Sequence, residues 1–312
     1  MTFSKAKKNN LAFLRQNTCM KKIMLAGIAS CLAVIPQSAL PCSADITNSA
    51  TVSVTVTKPE ISAVAAVVTD LETGKIYYSK NAEQIRPMAS LTKVMTTILT
   101  LEAGDLDTAF TVDSSAVHVE GTTMGLREND VVTRRALCYG MMLPSGNDAS
   151  NVAAVSVSGS IGEFVKLMNS KAAELGMKNT SFANPHGLDQ VGHHSTALDM
   201  AVLTAYALRN ETFRDICRTE SIRLQFGNPP YGRWLKNNNK MLSIYDNAQR
   251  WESIGVKTGF TDSARRCLIS AAEVDGRVLI VVTLNAADDW NDHVKLLNHG
   301  YEMSEVLYAN YV

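Results

Sequence analysis

Apolar positions recur along the chain in two rhythms, alternation or continuous runs at both ends and a helical spacing in the middle. Residues 61–69 form a nearly continuous apolar strand, Glu72-Thr73-Gly74 reads as a turn, and residues 75–79 form a second strand, so a hairpin is predicted. Leu91, Val94, Met95, Ile98 and Leu99 then repeat at 3.6-residue spacing, predicting a buried helix that begins at or near Ser90 and ends near Gly104. Helical spacing continues to about residue 215. It predicts helices over 131–142, halted before Pro144, over 148–157, over 161–175 with Gly176 as the stop, and over 196–208 with Thr196 as the cap. The irregular stretch 179–195 between the last two carries three of the six histidines. Residues 221–235 predict a small strand pair and residues 237–239 a loop. Strands return at 253–259, 267–273 and 277–286, the last two joined by Asp275-Gly276. A final helix over 289–307 lines up Trp290, Val294, Leu297 and Tyr301 on one face.

This order predicts an α+β architecture, an α/β sandwich-like fold whose antiparallel sheet is drawn from both chain ends and flanked by helices. Residues 61–102 and 245–312 would carry the sheet, residues 103–244 would form an inserted, mainly helical subdomain, and the active site would lie at their junction.

Charge changes the picture at the N-terminus. The formal net charge of the chain is zero, yet residues 1–44 hold six basic side chains and no acidic one. Setting those six apart from the 30 basic residues leaves 24 against 30 acidic, a net charge of −6. A mildly acidic body argues against a nucleic-acid partner. The basic stretch precedes an apolar run over 23–35 and then small residues up to Cys42-Ser43-Ala44, the layout of a secretory signal peptide over residues 1–44. The run falls short of the roughly 20 residues that span a bilayer. Met20 is an alternative start, and Cys31 an alternative lipid attachment site. Residues 45–60, rich in Thr, Ser and Val, read as a flexible lead-in. Export to the cell-wall space or periplasm follows, with no stable membrane anchor. Cys138, Cys217 and Cys267 remain beyond the leader, an odd number without metal-ligand spacing, and are expected as buried thiols.

Three short constellations carry candidate chemistry. Ser90 and Lys93 share one helix face, and Lys93 stands in a first turn where burial and the helix dipole disfavour its charge. Such a lysine has a lowered pKa and can take a proton from a serine. Ser145-Gly146-Asn147, on the turn after Pro144, presents a hydroxyl and a carboxamide that can relay a proton, hold an amide or orient a lysine. Lys257-Thr258-Gly259, near a strand end, offers a cation and a hydroxyl to a carboxylate, while the glycine lets a peptide approach the strand edge.

Together these motifs resemble the S-x-x-K, S-x-N and K-T-G set of the penicillin-binding and serine β-lactamase superfamily, and within it the low-molecular-weight D-alanyl-D-alanine carboxypeptidases, serine peptidases of family S11. The resemblance runs from about residue 61 to residue 301 and includes Asn184-Pro185-His186-Gly187-Leu188-Asp189 and Gly255-Val256-Lys257-Thr258-Gly259-Phe260-Thr261. It implies that Ser90 attacks the bond between the two terminal D-alanines of a peptidoglycan stem peptide, with Lys93 as base. It further implies that Ser145 relays the proton, that Asn147 holds Lys93 and the substrate amide, and that Lys257 and Thr258 receive the terminal carboxylate. The oxyanion hole would be the backbone N–H groups of Ser90 and Phe260. β-Lactams would acylate the same serine, and neither cofactor nor metal is implied.

Three departures from the family pattern stand out. Arg265 occupies the place of a glycine after K-T-G, Asp289-Trp290 stands where relatives often carry an arginine, and an additional C-terminal β-domain is not expected. They leave room for a catalytically weak homologue that only binds β-lactams or cell wall. A serine β-lactamase would need a Glu-x-x-Leu-Asn segment, which Glu163 to Asn169 does not match in spacing. A metallopeptidase would have to draw ligands from His186, Asp189, His193, His194 and Asp199, which read instead as loop hydrogen bonding and helix capping.

Overall fold

The computed structural model describes residues 56–243 and 251–309, all within one compact unit, Ser53–Val312. The expected leader over 1–44, with Cys19, Met20, Cys31 and Cys42, and the lead-in up to residue 55 lie outside the described residues.

Strand β1 (Ala65–Asp70) and strand β2 (Ile76–Lys80) form the first hairpin. A single 3-10 turn, Ala89–Thr92, leads into α1 (Lys93–Glu102). Short strands β3 (Ala109–Thr111) and β4 (Val131–Thr133) pair with each other, and four helices follow: α2 (Arg134–Met142), α3 (Asn147–Ser158), α4 (Ile161–Glu174) and α5 (Ala197–Leu208). Next come α6 (Glu211–Arg218) and a hairpin of β5 (Ser221–Phe226) with β6 (Tyr231–Lys236). Three ten-residue strands, β7 (Glu252–Thr261), β8 (Arg265–Val274) and β9 (Arg277–Ala286), precede α7 (Asp289–Ala309).

The main sheet is antiparallel with order β2-β1-β9-β8-β7, so its strands come from both sides of the helical region, as the pattern predicts. Its central strands are apolar at consecutive positions because both faces are covered. Val67, Ile269, Ile280 and Val282 face the cluster containing α1 and the other central helices, while Val68, Ala272, Leu279 and Val281 face Leu296, Leu297 and Tyr301 of α7. A period of two on each strand divides a continuous run between two cores. Asp275 (φ 49°) and Gly276 (φ 77°) both take left-handed angles, the twist that a two-residue β8–β9 turn requires.

Three local expectations change. Residues 131–142 are not one helix: Val131, Val132 and Thr133 are β-branched and pair with β3, and α2 starts only after Thr133 accepts a hydrogen bond from Ala136 N–H. Helix α6, which follows the last individually predicted helix at 208, is capped by Asn210 and buries Phe213, Ile216 and Cys217. Ser90 is not a cap, because it lies inside the 3-10 turn and no side chain caps α1. Cys138, Cys217 and Cys267 are buried free thiols, and burial pushes Cys138 and Cys267 up to about 12.

The two faces of α7 differ in chemistry. His293 is fully buried between β8 and β9, its Nδ1 2.5 Å from Ser270 Oγ and its Nε2 2.8 Å from Thr283 Oγ1. Asp292 accepts hydrogen bonds from Ser62 N–H and Oγ and from Ala63 N–H, fastening the start of the described chain to the last helix.

Burial pushes His293 down to about 3, whereas an unfolded chain binds a proton at a histidine near pH 6.5. The stability that depends on its neutral form is therefore complete above about pH 6.5 and drains away as pH falls toward 3. His293→Gln is expected to lose melting temperature less steeply than wild type between about pH 7 and pH 4; parallel slopes in a thermal-melt series would exclude His293 as the titrating group.

Candidate active site

Ser90 sits half-buried in the 3-10 turn, at the place where β7 passes the start of α1. Ala89 before it has φ 49°, a left-handed angle uncommon outside glycine. Two glycines close on the peptide between them. A methyl group at Gly187 would stand 2.1 Å from Ala89 O, and one at Gly259 would stand 3.1 Å from Ser90 N. Gly187 itself has φ 96°, so neither its space nor its backbone admits a side chain.

Lys93 is completely buried, and its amine touches three oxygens: Ser90 Oγ at 3.0 Å, Asn147 Oδ1 at 2.7 Å and the His186 carbonyl at 2.6 Å. Burial is the largest force holding its pKa well below the usual lysine value, and the nearby Lys257 cation adds to it, while the Asp148 carboxylate acts in the opposite sense. A neutral amine has two N–H groups and one lone pair. The two shorter contacts are to groups that only accept, so they take the N–H groups and leave the lone pair facing the Ser90 hydroxyl.

Asn147 is locked on three sides. Its Oδ1 accepts from Lys93, its Nδ2 donates to Glu120 O at 2.7 Å, and its backbone N–H donates to Thr122 O at 2.7 Å. Ser145, two residues earlier, is buried with φ 71° on the turn closed by Gly146 N–H to Gly140 O. Asp148 follows Asn147 in the first turn of α3. Its buried carboxylate accepts from the N–H groups of Met124, Gly125 and Leu126, which brings the 120–126 loop against Asn147.

Lys257 is buried on β7 and donates to Thr258 O at 2.8 Å; desolvation lowers it to about 7. Thr258 and Gly259 are partly exposed, and the Phe260 side chain is 60% exposed at the strand end. The doubt attached to Arg265 is answered locally: it adopts φ 59°, the angle a glycine would take without strain, and still pairs with Thr261. Asp289 is buried 3.8 Å from the Arg266 guanidinium.

The structure thus brings Ser90, Lys93, Asn147, Lys257 and Gly259 together on the 3-10 turn, the starts of α1 and α3, and β7. It adds the His186 and Glu120 carbonyls, which no side-chain pattern could disclose. Side chains of the histidine-rich loop that could have been metal ligands are engaged in hydrogen bonds to the protein instead. Asp199 accepts from Asn179 N–H and Thr180 Oγ1, Asp189 accepts from Thr261 Oγ1, and His193 bonds to Thr92 and Ala183. Among the described residues no group of three His, Cys, Asp or Glu is arranged to hold a metal. Glu163 pairs with Lys166 on the exposed side of α4, and Asn169 bonds the Phe182 backbone.

Gly187→Ala tests the crowding around the Ala89–Ser90 peptide. Strain and clash together should cost at least about 2 kcal/mol in urea unfolding and slow modification of Ser90 by a fluorescent penicillin. Wild-type stability with wild-type labelling would contradict the close packing.

The chain is similar to well-described proteins along most of its length. The family model for peptidase family S11, D-alanyl-D-alanine carboxypeptidase, matches residues 52–288. The D-alanyl-D-alanine carboxypeptidase DacF of Bacillus subtilis is 36% identical over 230 residues, which is 72% of this chain and 58% of that protein. A D-alanyl-D-alanine endopeptidase of Escherichia coli is 32% identical over 74% of both chains. Among solved structures, the Streptomyces K15 DD-transpeptidase superposes with a TM-score of 0.74 at 31% identity, covering 79% of this chain and all of that one. The penicillin-binding, β-lactamase-like fold expected from the motifs is therefore present, and the chain belongs to the D-alanyl-D-alanine carboxypeptidase family of serine peptidases, S11.

Proposed function

We propose that the protein is a serine-type D-alanyl-D-alanine carboxypeptidase, which removes the terminal D-alanine from peptidoglycan stem peptides through an acyl-enzyme on Ser90. The observation that carries this reading is the buried, charge-disfavoured Lys93 amine 3.0 Å from the accessible Ser90 hydroxyl. Lys93 takes the Ser90 proton as Oγ attacks the carbonyl between the two D-alanines. The oxyanion that develops is held by the N–H groups of Ser90 and Phe260, which flank the close contact at Gly259. Asn147 keeps the amine in line and binds the substrate amide. Ser145 passes a proton to the departing D-alanine nitrogen, the C–N bond breaks, and water then hydrolyses the ester to return Ser90. Lys257 and Thr258 bind the terminal carboxylate. β-Lactams acylate the same serine. The basic, then apolar, then small-residue start of the chain supports action outside the cytoplasmic membrane; among the described residues no helix is long and apolar enough to cross a membrane.

Release of D-alanine from diacetyl-Lys-D-Ala-D-Ala tests the reading, with Ser90→Ala expected to lose all activity. Labelling by penicillin without D-alanine release would identify a binding homologue, and rapid cephalosporin turnover would identify a lactamase. Activity retained by Ser90→Ala would overturn the assignment.

The two lysines set the pH profile. Lys93 must be neutral to accept a proton, so kcat/KM falls on the acid side as Lys93 becomes charged. Lys257 must be charged to hold a carboxylate, and it loses that charge as pH rises through about 7. A bell-shaped kcat/KM profile is expected, as is loss of its alkaline limb in Lys257→Arg, whose guanidinium stays charged. An unchanged alkaline limb in that variant would remove Lys257 from carboxylate binding.

A further inference from the structure

We propose that His193 is a positioning residue for the oxyanion hole, holding the Ala89–Ser90 peptide through the hydroxyl of Thr92. The inference rests on the reading of Ser90 as nucleophile. His193 is buried on the irregular loop, which Arg86↔Ser195 and Ser181↔His194 bridges fix in place. Its ring contacts Phe182 edge-on. Ala183 N–H donates to Nδ1 at 3.0 Å, so in the neutral ring the proton resides on Nε2. Nε2 lies 2.8 Å from Thr92 Oγ1, and the Thr92 hydroxyl already donates its own hydrogen to Ala89 O at 2.8 Å. The directions are therefore fixed along the whole chain: His193 Nε2–H donates to Thr92 Oγ1, and Thr92 Oγ1–H donates to Ala89 O.

Ala89 O belongs to the same planar peptide as the Ser90 N–H, which points the opposite way in a trans unit. Anchoring that oxygen fixes the direction of that N–H. A hydrogen bond accepted at the carbonyl also polarises the amide, so the Ser90 N–H becomes a stronger donor to a developing oxyanion. The anchor has work to oppose, because Ala89 holds a left-handed φ of 49° without being glycine. Burial is the main cause that lowers His193 to about 4, and the groups facing it are His194, Asp189 and Lys93. The ring thus stays neutral, with one tautomer, at neutral pH.

Three variants test the chain. His193→Phe keeps an aromatic ring beside Phe182, at somewhat larger volume, but cannot donate, Thr92→Val removes the hydroxyl at nearly constant shape, and His193→Gln retains an N–H donor. Penicillin acylation rate, together with kcat and KM on the D-Ala-D-Ala peptide, is measured below each variant's melting temperature. His193→Phe and Thr92→Val are each expected to slow acylation and kcat by about 10-fold or more, with KM within about 2-fold. The double variant should be no slower than the slower single one, and His193→Gln should return to within about 3-fold of wild type. Should His193→Phe not fold, Thr92→Val and His193→Gln decide the matter. Wild-type acylation by a folded His193→Phe or Thr92→Val protein, or rate losses that multiply in the double variant, would overturn the proposal. Failure of wild type to label, or labelling of Ser90→Ala, would instead overturn the nucleophile assignment.

Discussion

Confinement of one amine governs the architecture around the active site. Lys93 is fully buried, within hydrogen-bonding distance of three oxygens from three parts of the chain: its own turn at Ser90, the turn before α3 at Asn147, and the loop at His186. An amine in such a place is costly to charge, and a second cation at Lys257 makes it costlier. The surrounding structure is arranged to keep those oxygens in place. Asp148 draws the 120–126 loop inward, that loop accepts from Asn147, and Thr96 donates to Pro185 O beside His186.

The second constraint is proximity of backbone to backbone. The Ala89–Ser90 peptide is enclosed between Gly187 and Gly259, so the Ser90 amide is approached from a loop on one side and from β7 on the other. This explains why the strand motif requires a glycine beside its lysine and threonine. It also joins the sheet to the helical region at Ser90. A site at that junction needs both parts of the fold to be complete, since β7 supplies Lys257 while α1 and α3 supply Lys93 and Asn147.

The departures from the family pattern are absorbed locally. Arg265 accepts a left-handed φ at the start of β8 and keeps its pairing with Thr261, so strain replaces the glycine's freedom without disturbing the strand. Asp289 is buried near Arg266, where desolvation raises its pKa. The guanidinium beside Asp289 thus comes from Arg266 on β8. Neither change reaches the Lys93 contacts.

Patterning by itself determined the sheet strands from both ends, the β8–β9 turn and the pairing of Ser90 with Lys93, because these follow from residue type and short spacing. Val131 to Thr133 carry helical spacing in the sequence but form a strand, since their partner strand, Ala109–Thr111, is too short to carry a pattern and only pairing reveals it. Only the tertiary structure decided which oxygens surround Lys93 and which atoms anchor the Ser90 amide. The His186, Glu120 and Ala89 carbonyls are backbone groups, identical at every residue and silent in a one-letter code. Short spacing thus put Ser90 beside Lys93, while long-range packing supplied the burial and the hydrogen bonds that surround the lysine and lower its pKa.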